Sequence, residues 1–90
     1  MLFAVICDDA PENAHIREDQ RPAHRAYLKE SGPVRQAGPF LDADGAMCGS
    51  LILIEVDDQQ AAETWAMNDP YAKAGLFSNV AVRPWNRVIG

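Results

Sequence analysis

Apolar positions fall along this chain in four strand-length runs, separated by stretches of helical spacing. Leu2 to Cys7 is apolar throughout and rich in β-formers. Asp8-Asp9-Ala10-Pro11 closes it, so the run reads as a buried strand. Helical spacing then runs from Pro11 or Glu12 to Glu30, with Pro11 suited to a first turn and Gly32-Pro33 as the stop. Pro22 lies inside this stretch and predicts a kink, or a split into a short piece and a longer helix starting near Arg21. Val34 to Phe40 predicts a second strand whose exit is bent by Gly38-Pro39, and Asp42-Ala43-Asp44-Gly45 is a turn signature. Met47 to Val56 predicts a third strand around Leu51-Ile52-Leu53-Ile54. Asp57 or Asp58 caps a second helix, with Gln60 as the reciprocal partner if the cap is Asp57. Ala61, Ala62, Trp65 and Ala66 form its apolar stripe, and Asn68-Asp69-Pro70 ends it. Tyr71 to Phe77 reads as one loose helical turn, and Val80, Val82 and Trp85 mark a last strand.

The order β-α-β-β-α-β predicts a ferredoxin-like α+β fold over residues 1–90 as one domain. Right-handed crossovers then give a four-stranded antiparallel sheet with two helices on one face. The first and third strands are apolar at successive positions, so both of their faces call for cover. The open face of a second copy is the simplest cover, which predicts a homodimer through that face.

A chain of 90 residues has a core of limited size, which fits the need for a partner. The formal charge of −5 argues against nucleic acid and anionic membrane as partners. No apolar run approaches the length of a membrane span. Met1 leads straight into a strand-length run without a basic lead, so a cytoplasmic protein is expected. Cys7 and Cys48 lack metal-ligand spacing. They are expected to be free, buried thiols close together on neighbouring strands.

This topology gathers the unusual residues at one end of the sheet. There the end of the first strand meets Arg17, Arg21 and His24 on the first helix. Gly38-Pro39-Phe40, Gly49-Ser50 and Asp69-Pro70-Tyr71 arrive at the same end. Helical periodicity sets Ile16, Gln20, Ala23, His24, Tyr27 and Leu28 on one face, with Glu18, Arg25 and Lys29 opposite. His24 therefore points toward the sheet, where a plain core would carry an apolar residue. A buried imidazole needs a partner, and Asp69 at the end of the second helix is a candidate. Such a pair fixes the tautomer and makes the ring a usable general acid or base. The bland alternative is a structural histidine bonded to a carbonyl. Arg17 and Arg21 could hold a carboxylate or phosphate, although most helix arginines are simply solvated. Ser50 could donate to a ligand or pair with backbone, and His15 is expected to face water. A metal site at His24 and Asp69 would lack enough ligands, so no metal or cofactor is expected. No Ser-His-Asp order, P-loop, dinucleotide fingerprint or HExxH motif occurs.

Arg21-Pro22-Ala23-His24-Arg25-Ala26-Tyr27-Leu28 resembles the R-x-x-H-x-x-Y/F-L stretch of the YciI-like family. Gly38-Pro39, Asp44-Gly45, Gly49-Ser50, Asn68-Asp69-Pro70-Tyr71 and Ala74-Gly75-Leu76-Phe77 follow in the family's order. The departures are Arg25, where the family usually has an apolar residue, and the tail from Trp85 to Gly90. The resemblance implies a dimeric α+β barrel, related in fold to muconolactone isomerases and small monooxygenases. It also implies His24 and Asp69 as a catalytic pair, with Arg21 and Ser50 lining the same pocket; one relative eliminates chloride from a chlorinated hydroquinone. Arg17, Phe40 and Tyr71 complete the expected substrate-binding set.

The reading that follows is a cofactor-independent small-molecule enzyme performing elimination, isomerisation or hydrolysis. The alternative is a metabolite-binding or accessory dimer without turnover. Only the first requires His24 to exchange a proton near neutrality.

Overall fold

The computed structural model describes residues 1–90. Four strands, β1 (Leu2–Asp9), β2 (Val34–Leu41), β3 (Met47–Glu55) and β4 (Phe77–Trp85), form one sheet in the order β2-β3-β1-β4. All neighbouring pairs are antiparallel, with Val5 opposite Ile52 on one side and Val82 on the other. Helices α1 (Ala14–Glu30), α2 (Gln59–Met67) and the single turn α3 (Pro70–Lys73) complete the chain. This is the ferredoxin-like α+β arrangement that the order of elements predicts.

Alternation along each strand decides what is core. Phe3, Val5 and Cys7 of β1 and Ile52 and Ile54 of β3 share one sheet face. They pack against Ala62, Trp65 and Ala66 of α2, the stripe that helical spacing anticipates. Tyr27 stacks on Trp65 and donates its hydroxyl to the Trp65 carbonyl, tying α1 to α2. The other sheet face carries no helix. Leu53 and Ala4 are buried there by their neighbours, while Leu51 and Phe40 remain exposed.

Several local expectations are corrected. Residues Pro11–Asn13 form a 3₁₀ turn, and α1 proper starts at Ala14. Pro22 does not split α1, which runs unbroken to Glu30. The proline faces solvent, where water can satisfy the carbonyl left without an N–H partner. Gly38 and Pro39 stay inside β2, which is an edge strand and tolerates a residue without a donor. Asp58, not Asp57, caps α2 by accepting from the Ala61 N–H at 2.8 Å, so Gln60 has no capping role. The helical turn after Asp69 ends at Lys73, and Phe77 already belongs to β4. Ala23 is exposed, while Arg17 and His24, two turns apart, are the buried residues of α1.

The two cysteines are free and lie on neighbouring strands, but only Cys7 is buried. Cys7 stands opposite Ser50, which puts Cys48 two residues earlier, at the start of β3, where it is exposed. Burial chiefly, and then the nearby Asp69 and Asp9 carboxylates, push the Cys7 thiol up from 9.0 to about 12. The native state thus holds this proton more tightly than the unfolded chain does. The associated stability is complete below pH 9.0 and is lost as pH rises toward about 12. A thiol reagent at pH 8 is expected to titrate one cysteine per native chain and two after denaturation. Two reactive thiols in the native protein would contradict the burial of Cys7.

Gly49 is the glycine that packing requires. A Cβ there would overlap the Cys7 carbonyl oxygen and lie 3.1 Å from Phe40 Cδ2. Gly49→Ala is therefore expected to push β3 away from β1 and cost about 1–3 kcal/mol, measurable as a lowered denaturant midpoint. An unchanged midpoint would mean that the strands do not approach this closely.

Candidate active site

Asp69 begins the site. It caps α3 with an extended backbone, and its Oδ1 accepts from the Tyr71 N–H at 3.0 Å. The same oxygen lies 2.8 Å from His24 Nδ1. Asp69 is 2% exposed and His24 7%, so the pair is shielded from water although 45 residues separate its members. With Nδ1 donating to the carboxylate, the ring is held as the tautomer whose Nε2 carries the lone pair. Nε2 has no protein partner, yet no buried side-chain nitrogen or oxygen is left unsatisfied, so Nε2 reaches accessible space.

Tyr71 fixes the imidazole plane. Its ring stacks on His24 at 3.9 Å between centroids and 12° between planes. Its hydroxyl donates to the Arg17 carbonyl at 3.2 Å. The Arg17 guanidinium also lies over the Tyr71 ring, its carbon 4.9 Å from the centroid.

Arg17 itself is held by a buried fork. Nε donates to Asp9 Oδ2 at 2.7 Å and Nη2 to Asp9 Oδ1 at 2.9 Å. Nη2 also donates to the Gly49 carbonyl at 2.9 Å and to Ser50 Oγ at 3.0 Å. Burial alone would lower the Arg17 pKa, but the ion pair with Asp9 outweighs it and raises the pKa above its ordinary value. The guanidinium is therefore a permanent cation that joins β1, β3 and α1 at the end of the sheet.

Above these groups lies a cavity of about 310 Å³, sized for a single-ring metabolite rather than a dinucleotide. Leu28, Ala37, Pro39, Met47 and Ile52 supply apolar wall. His24, Ser50, Tyr71 and three arginines, Arg17, Arg21 and Arg25, supply the polar lining.

The structure thus brings five of the seven expected site residues, Arg17, Arg21, His24, Ser50 and Tyr71, to the lining of one cavity, and sets a sixth, Asp69, directly behind His24. Phe40 is the exception. It pairs with Gly49, one position out of phase with Pro39 and Ser50, so it faces the helix-free side with Leu51 and Leu53. Arg25, expected on the opposite face of α1, reaches the cavity rim. Asp9 was absent from the expected set. Its signal was a second acidic residue in phase with Cys7 at the end of an apolar strand.

The model of the YCII-related domain matches residues 1–86. The chain belongs to this family. Protein YciI of Escherichia coli is 32% identical over 98% of this chain and 99% of its own length. A Haemophilus influenzae family relative is 28% identical over the same shares. Among solved structures, 5-chloro-2-hydroxyhydroquinone dehydrochlorinase of Burkholderia phenoliruptrix, in complex with 2,5-dihydroxybenzoquinone, superposes with a TM-score of 0.87. It is 34% identical, over 96% of this chain and 94% of that one. A Pseudomonas aeruginosa protein shares the fold at a TM-score of 0.58 and 16% identity, covering 98% of this chain and 93% of its own. This YCII-related chain also contains no helix long and apolar enough to cross a membrane.

Proposed function

We propose that this YCII-related protein is a cofactor-independent small-molecule enzyme in which His24 moves a proton. The observation that carries the reading is the buried Nδ1–Asp69 contact at 2.8 Å, which leaves Nε2 for a ligand in the cavity. In an elimination, Nε2 takes a proton from the bound ring and becomes imidazolium beside the Asp69 carboxylate. The electron pair left behind forms a new double bond, and the leaving group departs with its own pair. Returning the proton at another atom gives an isomerisation instead. Ser50 donates a hydrogen bond to a ligand oxygen, Arg21 draws an anionic group, and Tyr71 keeps the ring plane fixed.

Likeness to the dehydrochlorinase supports elimination as the first reaction to test. The measurement is chloride release from 5-chloro-2-hydroxyhydroquinone by the wild type and by His24→Gln. Release that falls by about 10²- to 10⁴-fold in the variant supports general acid/base work at His24. Equal release by both proteins would refute it.

The working unit in this reading is one domain of residues 1–90, paired as a homodimer through the helix-free sheet face. Phe40 and Leu51 are each 37% exposed there, beside Leu53, and form the centre of an apolar patch. Sedimentation at micromolar concentration is expected to show a dimer, and Leu51→Glu to shift it toward monomer. A well-folded wild-type monomer would overturn this assignment.

A further inference from the structure

Three arginines line the cavity, and they differ in what holds their charge. Arg17 has its own carboxylate in Asp9. Arg21 and Arg25 have none: neither forms an ion pair, although the chain carries 13 acidic residues against 8 basic ones. The only side-chain partner of Arg21 is the thioether of Met47, at 3.7 Å, which is a weak acceptor. Arg25 makes no side-chain hydrogen bond. Residues four apart on a helix are neighbours, and like charges there repel. Two uncompensated cations thus stand together at the rim of a cavity with apolar walls, on a protein whose net charge is −5.

A helix of solvated arginines would not need both in one cavity lining. A ligand with negative charge removes the repulsion and supplies the acceptors that the protein withholds. Planar guanidinium groups favour planar oxyanions, with which they form paired, charge-assisted bonds. The size of the cavity admits one ring, and its apolar wall accepts the ring's faces.

We propose that the ligand of this cavity is a single planar ring bearing a carboxylate, which Arg21 and Arg25 receive together. The inference rests on the reading of this cavity as the ligand site of His24. In that pose the carboxylate sits at the rim, and a hydroxyl or carbonyl of the ring reaches Nε2 and Ser50. Arg25 is then a specificity residue: it selects the acid over the uncharged ring.

The test compares 2,5-dihydroxybenzoate with hydroquinone, a pair with the same two ring hydroxyls and differing in the carboxylate. Affinities are measured by calorimetry at neutral pH, and the imidazole signals of His24 are followed by NMR. The expected result is that the acid binds about tenfold or more tightly than hydroquinone, as one charge-assisted contact warrants. Arg25→Gln should remove most of that preference, weakening the acid far more than hydroquinone. Both rings should shift the His24 signals. If both bind equally, shift His24 and ignore Arg25→Gln, the carboxylate assignment fails and the proton-transfer reading stands. If the acid binds in an Arg25-dependent way without moving the His24 signals, the carboxylate assignment holds and the proton-transfer reading falls. Failure of the acid to bind at all overturns the proposal.

Discussion

Arg17→Leu is expected to cost this protein about 3–5 kcal/mol, the penalty for leaving a buried charge without its partner. The Asp9 side chain is 7% exposed and receives both of its hydrogen bonds from Arg17. Removal of the guanidinium also strips a donor from the Gly49 carbonyl and from Ser50 Oγ. A domain of this size has roughly 5–15 kcal/mol in all, so the variant would sit close to unfolding at room temperature. The melting temperature should fall by at least about 12 °C. Asp9→Asn should be nearly as harmful, because it leaves the cation buried. The double variant Asp9→Leu with Arg17→Leu should recover much of the loss, since two apolar groups need no partners. Additive losses in the double variant would show that the two residues do not act as a pair.

Asp69→Asn is expected to act on turnover rather than on the fold. Asparagine caps a helix about as well as aspartate, and its oxygen can still accept from the Tyr71 N–H. It cannot offer a negative charge to the imidazolium that the proposed proton transfer would form at His24. Turnover should fall by about 10²- to 10⁴-fold, with melting nearly unchanged. Asp69→Ala separates the two roles, since it removes cap and partner together. That variant should lose both turnover and about 1–3 kcal/mol of stability. If Asp69→Asn lowers the melting temperature and leaves turnover intact, the pair is structural.

The order and kind of the elements were legible because both periods are clean here. An apolar run in Leu2 to Cys7 and helical spacing around His24 translate directly into a strand and an inward-facing imidazole. The His24–Asp69 contact was legible because topology alone sends the end of α2 to the same end of the sheet as the middle of α1. What could not be read was phase at the edges of this pattern. Pro39 and Phe40 are adjacent, and the pleat sends them to opposite faces, so the expectation of Phe40 at the site fell one position away from Pro39, which lines the cavity. Arg25 is one residue from His24, about 100° around the helix, and a long side chain spans that angle to reach the cavity. Arg17 resembled a solvated arginine because its partner, Asp9, lies eight residues back on a strand. Only the closed sheet brings the two together.

The proposed role of His24 is tested by its tautomer, read from the nitrogen shifts of the imidazole in the native protein near pH 8. The expected result is a proton on Nδ1, held by Asp69, and a free Nε2 whose signal moves when a hydroxylated ring enters the cavity. Asp69→Asn should weaken or abolish that preference. A proton on Nε2 in the wild type, or a tautomer indifferent to Asp69→Asn, would mean that Asp69 does not hold the ring for proton transfer at Nε2.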